Sequence, residues 1–243
     1  MKALIGTYHT IRFWTVITLL SLFLGTVAVL LRLFDASGNT SHKISALWAR
    51  LLCILNGIQV EIEGLEHARP DRAQVFVANH QSFFDIFTLA GFLPVQIRWV
   101  AKASLFKIPF VGWSMTASGY ISVEREDRKN AYKAFLASVD KLKSGASIVI
   151  FPEGTRSRDG LIGEFKKGGT LLATRAGVPI VPVTIMGTSG IIQKGSSRVN
   201  PGRVKIVLSP PIEAEELRDN KEGEILARIR ETICHNYAQM KRP

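Results

Sequence analysis

The chain opens with two long apolar stretches; short apolar runs alternating with helical patterns fill the rest. From Phe13 to Leu31 (FWTVITLLSLFLGTVAVLL) no charged residue occurs, and Arg12 and Arg32 bracket the run. Nineteen residues at about 1.5 Å each approach the roughly 30 Å of a bilayer core. A cleaved signal peptide is the rival reading, but its apolar region should be shorter, and no small-x-small cleavage site follows in LRLFDASGNT. After a polar break comes ISALWARLLCILNGI at 44–58, interrupted by Arg50. Ala46, Leu47, Leu51, Ile54 and Leu55 fall near helical spacing, with Trp48 suited to a headgroup interface. On pattern alone this second stretch is either the other arm of a membrane hairpin or a core helix of the following domain. The expectation is a membrane-associated two-helix segment over 1–57. Lys2 and Arg12 nearly balance Arg32, Lys43 and Arg50, which leaves spanning and one-leaflet insertion both open.

Over 58–243 the period changes. IQVEI (58–62), QVFVA (74–78), IRWVA (97–101), YISVE (120–124), SIVIF (147–151), IVPVTI (180–185) and RVKIVL (203–208) predict strands. Between them DRKNAYKAFLASVDKLKSG predicts a helix with Ala131, Phe135, Val139 and Leu142 on one face, ending at Gly145. KKGGTLLATRAG predicts another, closed by Gly177, and KEGEILARIRETICHNYAQM a third, with Ile225, Ile229 and Ile233 four apart. This alternation predicts an α/β domain with a mixed, largely parallel sheet covered by helices. Chemistry on such sheets sits on loops leaving the strands at their carboxyl ends.

Composition narrows the field. With 243 residues, 47% of them hydrophobic and 21% charged, the chain is neither disordered nor an all-membrane bundle. Cys53 and Cys234 are the only cysteines, too few for a disulfide framework or a Cys-rich zinc site. The formal net charge of +11 calls for an anionic partner: nucleic acid, an anionic lipid surface or a phosphorylated substrate. No zinc-finger spacing or pattern of stacking aromatics supports nucleic acid. An apolar amino end beside a basic domain is met more simply by anionic lipid.

Two strand-end stretches carry candidate chemistry. NHQSFFD (79–85) follows QVFVA, and FPEGTRS (151–157) follows SIVI. On a continuous helix His80 and Asp85 would point about 140° apart, so they face each other only if the chain turns between them. Ser82-Phe-Phe-Asp85 has capping-box spacing, so a turn is expected, with His80 ending the strand and Asp85 in the first turn of a helix. Taken alone, the pair reads more simply as a polar strand end and a helix-dipole partner. In FPEGTRS, Pro152 ends the ladder, Gly154 allows close backbone approach, and Glu153 and Arg156 bring opposite charges, with Lys166 and Lys167 following. An ordinary ion-paired surface turn has the same composition, but so does a phosphate cradle.

Together these stretches resemble the N-H-x4-D and F-P-E-G-T-R-S motifs of the glycerolipid acyltransferases, most nearly the 1-acylglycerol-3-phosphate acyltransferase family. GYISVER (119–125), VPIVPV (178–183) and AKASLFKIPFVGW (101–113) match further family segments in order, though Ser122 stands where the family has an aromatic residue. The resemblance runs from about residue 58 to about residue 210. It implies acyl transfer from acyl-CoA or acyl-ACP to the sn-2 hydroxyl of lysophosphatidic acid, giving phosphatidic acid in phospholipid biosynthesis. His80 would be the general base and Asp85 its orienting carboxylate. Glu153, Gly154, Thr155 and Arg156 would hold the acceptor, with Arg125 and Lys102 as further phosphate ligands. No metal or cofactor is implied, and no nucleic-acid partner. GWSMT and GTSG both lack the last glycine of a nucleophile elbow, so no enzyme nucleophile is expected. The expected location is a membrane, the bacterial inner membrane, with the site on its cytoplasmic side. Two alternatives are an acyltransferase for another lysolipid, such as a lyso-ornithine lipid, and a non-catalytic lipid-binding protein on the same fold.

Overall fold

Alternating apolar runs become alternating strands and helices in the computed structural model, which describes residues 2–124, 126–157 and 160–241. In chain order these are α1 (Lys2–Leu31), α2 (Asn39–Leu55), β1 (Ile58–Glu63), β2 (Val75–Ala78), α3 (Phe84–Phe92), β3 (Ile97–Arg98), β4 (Val100–Lys102), α4 (Val111–Ala117) and β5 (Ile121–Val123). They continue with α5 (Arg128–Lys143), β6 (Ser147–Ile150), α6 (Gly168–Ala176), β7 (Ile180–Met186), α7 (Thr188–Ile191), β8 (Gly202–Leu208), α8 (Ala214–Asp219) and α9 (Glu222–Met240). The main sheet has the order β1-β8-β7-β2-β6-β3. All its pairings are parallel except β7 with β8, as expected of a mixed, largely parallel sheet.

The central strands are apolar on both faces because helices cover both. Phe76 and Ala78 of β2 face the layer of α1, α2 and α3, joined there by Val149, Val183 and Ile206. Val75 and Val77 face the opposite layer, where Ile148 and Ile180 meet Leu142 of α5, Leu172 of α6, and Ile225, Ile229 and Ile233 of α9. Edge strand β1 alternates instead, with only its inward positions covered. The face of α5 is rotated from the expected one. Ala134, Ser138, Val139 and Leu142 are buried, while Ala131 and Phe135 pack at the margin. Asp127 caps this helix by accepting from Lys129 N and Asn130 N, and Gly177 closes α6 in the left-handed region, as its position in the sequence predicts.

The predicted strand at 97–101 is two strands. Ile97 and Arg98 pair with β6, whereas Val100–Lys102 leaves the sheet to pair with β5 in a separate two-stranded ribbon. The chain turns at Trp99, whose carbonyl accepts from Ile121 N at 2.8 Å. An apolar run records that its residues are buried, not which neighbour completes their ladder.

The amino-terminal helices divide the roles left open for them. α2 inserts Ala49, Leu52 and Cys53 into the core beneath the sheet, which is the core-helix alternative. Gly91 of α3 permits this approach, since a side chain there would start 2.6 Å from Arg50 N. Trp48 lies between neighbours, donating to Ser21 Oγ at 3.2 Å and meeting Phe87 edge-on. Among the described residues only α1, over Leu4–Leu31, is long and apolar enough to cross a membrane. It docks through Phe13, Leu24 and Ala28 and leaves Leu4, Ile11, Leu19 and Phe23 exposed.

His42 is locked at the other end of α2. Its Nδ1 hydrogen-bonds the Tyr120 hydroxyl at 3.0 Å, and its Nε2 accepts from Ile97 N at 3.1 Å. Burial, and then the charge of Arg98, push its pKa down to about 4. The unfolded chain protonates this residue near pH ~6.5, where the folded chain still holds it neutral. Stability therefore falls as pH drops from about 6.5 toward 4. Thermal unfolding at pH 7 and pH 4.5 should show a smaller loss in His42→Gln; equal losses in both proteins would contradict this account.

Candidate active site

Strand β2 delivers the site, and Asn79 holds its exit. The Asn79 side chain imitates a strand partner: Nδ2 donates to Ile185 O at 2.9 Å, and Oδ1 accepts from Ile185 N at 2.8 Å. The next residues bend sharply before α3. Asp85 Oδ2 accepts from Gln81 N at 2.7 Å, from Ser82 N at 2.8 Å and from His80 Nδ1 at 2.7 Å. The bend expected between His80 and Asp85 is thus built around the carboxylate itself. Only half of the expected capping box forms. Asp85 reaches back to Ser82 N, but Ser82 Oγ donates to Ile192 O and lies 3.4 Å from Phe84 N, so its main bond runs outside the helix.

Asp85 is completely buried and accepts a fourth donor, the Thr188 hydroxyl, at Oδ1. Four donors compensate a charge that burial alone would make costly. They also assign the histidine tautomer: Nδ1 carries the proton, leaving the Nε2 lone pair available. Among the described residues Nε2 has no hydrogen-bond partner, and the His80 side chain is 14% exposed. Its ring stacks on Phe151 with centroids 4.0 Å apart and planes 16° apart.

The second motif is joined to the first by backbone. His80 N donates to Glu153 Oε1 at 2.8 Å, Gly163 N donates to Glu153 Oε2 at 3.0 Å, and Ser157 N donates to His80 O at 2.8 Å. Glu153 therefore clamps the two strand-end loops to each other. Gly154 sits at φ 72°, and a side chain there would start 3.3 Å from Lys166 Nζ. Thr155 Oγ1 and Arg156 O both accept from Lys194 Nζ at 2.8 Å. The Arg156 guanidinium lies 3.9 Å over the ring of Phe83. Phe84 is core, whereas Phe83 is 43% exposed and serves as this platform. Lys102 stands apart, in a shallow cavity with Lys107, Glu124, Glu126 and Asp127 whose lining includes neither His80 nor the 151–157 turn. Arg125 lies outside the described residues.

Thr188 and Lys194 were not read from the sequence. Thr188 did carry a signal: it follows β7 at the end of the sheet where His80 and Glu153 follow β2 and β6. Lys194 carried none, because a lone lysine in a loop does not reveal which turn it reaches. Thr188→Val should remove one of the donors to Asp85 while keeping the volume, costing about 1–3 kcal/mol of stability. Turnover should fall about tenfold, an estimate from one lost hydrogen bond to a charged group. Chemical denaturation with steady-state kinetics checks both, and an unchanged kcat would show that Thr188 does not hold Asp85 in place.

Residues 59–186 match the family model described as Acyltransferase. The chain is 40% identical over 173 residues to a chloroplastic 1-acyl-sn-glycerol-3-phosphate acyltransferase of Arabidopsis thaliana, covering 70% of this chain and 48% of that protein. It is 36% identical over 196 residues to a 1-acyl-sn-glycerol-3-phosphate acyltransferase of Pseudomonas aeruginosa, covering 80% of this chain and 74% of that protein. The chain thus spans about half the length of the chloroplastic relatives of Arabidopsis thaliana and Brassica napus that it matches. The crystal structure of the 1-acyl-sn-glycerophosphate acyltransferase PlsC from Thermotoga maritima superposes with a TM-score of 0.86 at 28% identity, covering 100% of this chain and 99% of that one. With sequence, fold and motif order in agreement, the chain belongs to the 1-acyl-sn-glycerol-3-phosphate acyltransferase family.

Proposed function

We propose that the protein transfers a fatty acyl group from a thioester, acyl-CoA or acyl-ACP, to the sn-2 hydroxyl of lysophosphatidic acid, forming phosphatidic acid for phospholipid biosynthesis. The observation that carries this reading is the His80 Nδ1–Asp85 Oδ2 bond of 2.7 Å, with Nε2 left open beside a cationic turn. An alcohol is a weak nucleophile, so its proton must leave as the new bond forms. His80 Nε2 takes that proton while the alcohol oxygen attacks the thioester carbonyl. Asp85 holds the ring in the required tautomer and offsets the imidazolium charge. Collapse of the tetrahedral intermediate breaks the carbon–sulfur bond, and the imidazolium returns the proton to the departing thiolate.

Arg156 is the first choice for the acceptor phosphate, its guanidinium held over Phe83, with Lys166 and Lys194 alongside. Gly154 gives clearance, and Thr155 stands at the rim of the turn. Glu153 acts through the loops, holding His80 and the turn in register. Lys102 would serve a more distant part of the acceptor, and Arg125 keeps the role the resemblance implies, a further phosphate ligand. The exposed apolar surface of α1 would sit in a membrane, keeping the site beside lipids, and the +11 net charge would draw the domain to anionic headgroups. By this reading the site faces the cytoplasmic side of a bacterial inner membrane, where the thioester donors are.

The test is turnover of the purified full chain with lysophosphatidic acid and acyl-CoA or acyl-ACP donors of graded chain length. Phosphatidic acid should form with at least one donor. Acylation of a lyso-ornithine lipid in place of lysophosphatidic acid would reject the acceptor, and no acylation of any lysolipid would reject the activity.

A further inference from the structure

A group of cations lies away from the catalytic loops and is used by none of the chemistry above. Arg98 pairs with Ile148 of β6. The same Ile148 is level with Val75, five residues before His80, so Arg98 sits toward the opposite end of the sheet from the catalytic pair. Only 2% of Arg98 is exposed, yet all its partners are neutral. Nη2 donates to Asn39 Oδ1, and Nη1 to Gln96 Oε1 and Ile97 O, both at 3.2 Å. Its Nε is buried with no partner. Among the described residues Arg32, at the end of α1, bonds only the carbonyls of Asp35 and Ala36.

Lys141 of α5 completes the group. A side chain on Gly119 would start 3.4 Å from Lys141 Nζ and 3.5 Å from Arg98 Nε, so both nitrogens border one small space that this glycine keeps open. A side chain on Gly38 would start 2.7 Å from Ala117 O and 3.2 Å from Arg32 Nη1, so Arg32 lies against the backbone that leads to Gly119. Among the described residues no carboxylate stands within ion-pair distance of any of the three cations. Asp35 acts on Arg98 from farther off, and its own oxygens are bonded to Ser37 and Thr40. Burial, then Arg98 and Arg32, push the Lys141 pKa down, as expected of crowded like charges. Such a group is costly unless an anion joins it.

We propose that Arg32, Arg98 and Lys141 form a second anion site, separate from the catalytic pair, that takes a phosphate group of the kind carried by bilayer lipids. A planar guanidinium fork beside an ammonium suits phosphate oxygens. The source follows from the next two residues: Leu33 and Phe34 are 78% and 87% exposed, setting an apolar tip against Arg32. The choice of a lipid over free phosphate rests on the membrane placement of α1 proposed above; anion binding itself does not.

The test is thermal unfolding of the full chain in neutral maltoside micelles, titrated separately with phosphatidylglycerol, phosphatidylcholine and inorganic phosphate. Phosphatidylglycerol should raise the midpoint. Arg32→Gln and Lys141→Gln, changes at half-exposed positions, should each weaken that response about tenfold, the effect of losing one charge-assisted hydrogen bond. Lys143→Gln on the same helix should leave it intact. If inorganic phosphate alone produces a shift that both variants lose, the site stands and its ligand comes from solution. The proposal is overturned if no anion shifts the midpoint or if both variants respond like the parent. It is also overturned if Arg156→Gln alone abolishes the response, which would assign it to the catalytic turn. None of these readouts depends on acyl transfer.

Discussion

Replacing His80 by alanine should reduce turnover by about 10²–10⁴-fold, the usual contribution of a general base. Vesicle binding should not change, because the exposed apolar surface of α1 is untouched. The fold should survive as well. The His80 backbone N–H still reaches Glu153, and its carbonyl still accepts from Ser157. What disappears is the imidazole that Asp85 holds through Nδ1, together with the stack on Phe151. Thiol release followed in a purified preparation, beside a vesicle flotation assay, separates the two effects. Full activity in His80→Ala would mean that the proton goes elsewhere, and the mechanism would fail.

Asp85→Asn should be nearly as damaging, for a different reason. The amide can keep its oxygen toward His80 Nδ1, Gln81 N and Ser82 N, and turn its NH2 toward the Thr188 hydroxyl, which can accept as well as donate. The loop then keeps its bonds but loses the charge that offsets the imidazolium. If the amide is reversed, an NH2 faces His80, and Nδ1 can meet it only by giving up its proton, which moves to Nε2 and blocks the base. Either way kcat should fall by on the order of 10³-fold, as when a serine-protease triad loses its carboxylate charge. KM should change little, because Asp85 is fully buried. Kinetics paired with thermal unfolding would check this, and a loss below tenfold would assign Asp85 to the fold rather than to catalysis.

Much of this site was legible because its residues are neighbours in sequence. His80, Ser82 and Asp85 sit in one turn, and the need for a bend followed from helical geometry alone. Glu153, Gly154 and Arg156 likewise share one turn. The partners that complete the site come from afar. Thr188 and Lys194 reach it from beyond β7, and Tyr237 of α9 accepts from Gln81 Nε2 at 2.7 Å. No local pattern marks such contacts. The same limit applies to Glu153, whose carboxylate suggested a substrate contact but whose two oxygens both take backbone N–H groups.

By itself the sequence determined the alternation of strands and helices, a largely parallel sheet under helical cover, and the bend that His80 needs in order to face Asp85. Periodicity and short-range sterics act between residues a few positions apart, so they are written in the local order of the chain. Tertiary structure alone decided that 97–101 divides between two sheets, that α2 belongs to the core, and that Arg98 is buried with no carboxylate paired to it among the described residues. Those outcomes depend on which distant segments meet, and hydrophobic burial, being non-directional, does not specify its partners.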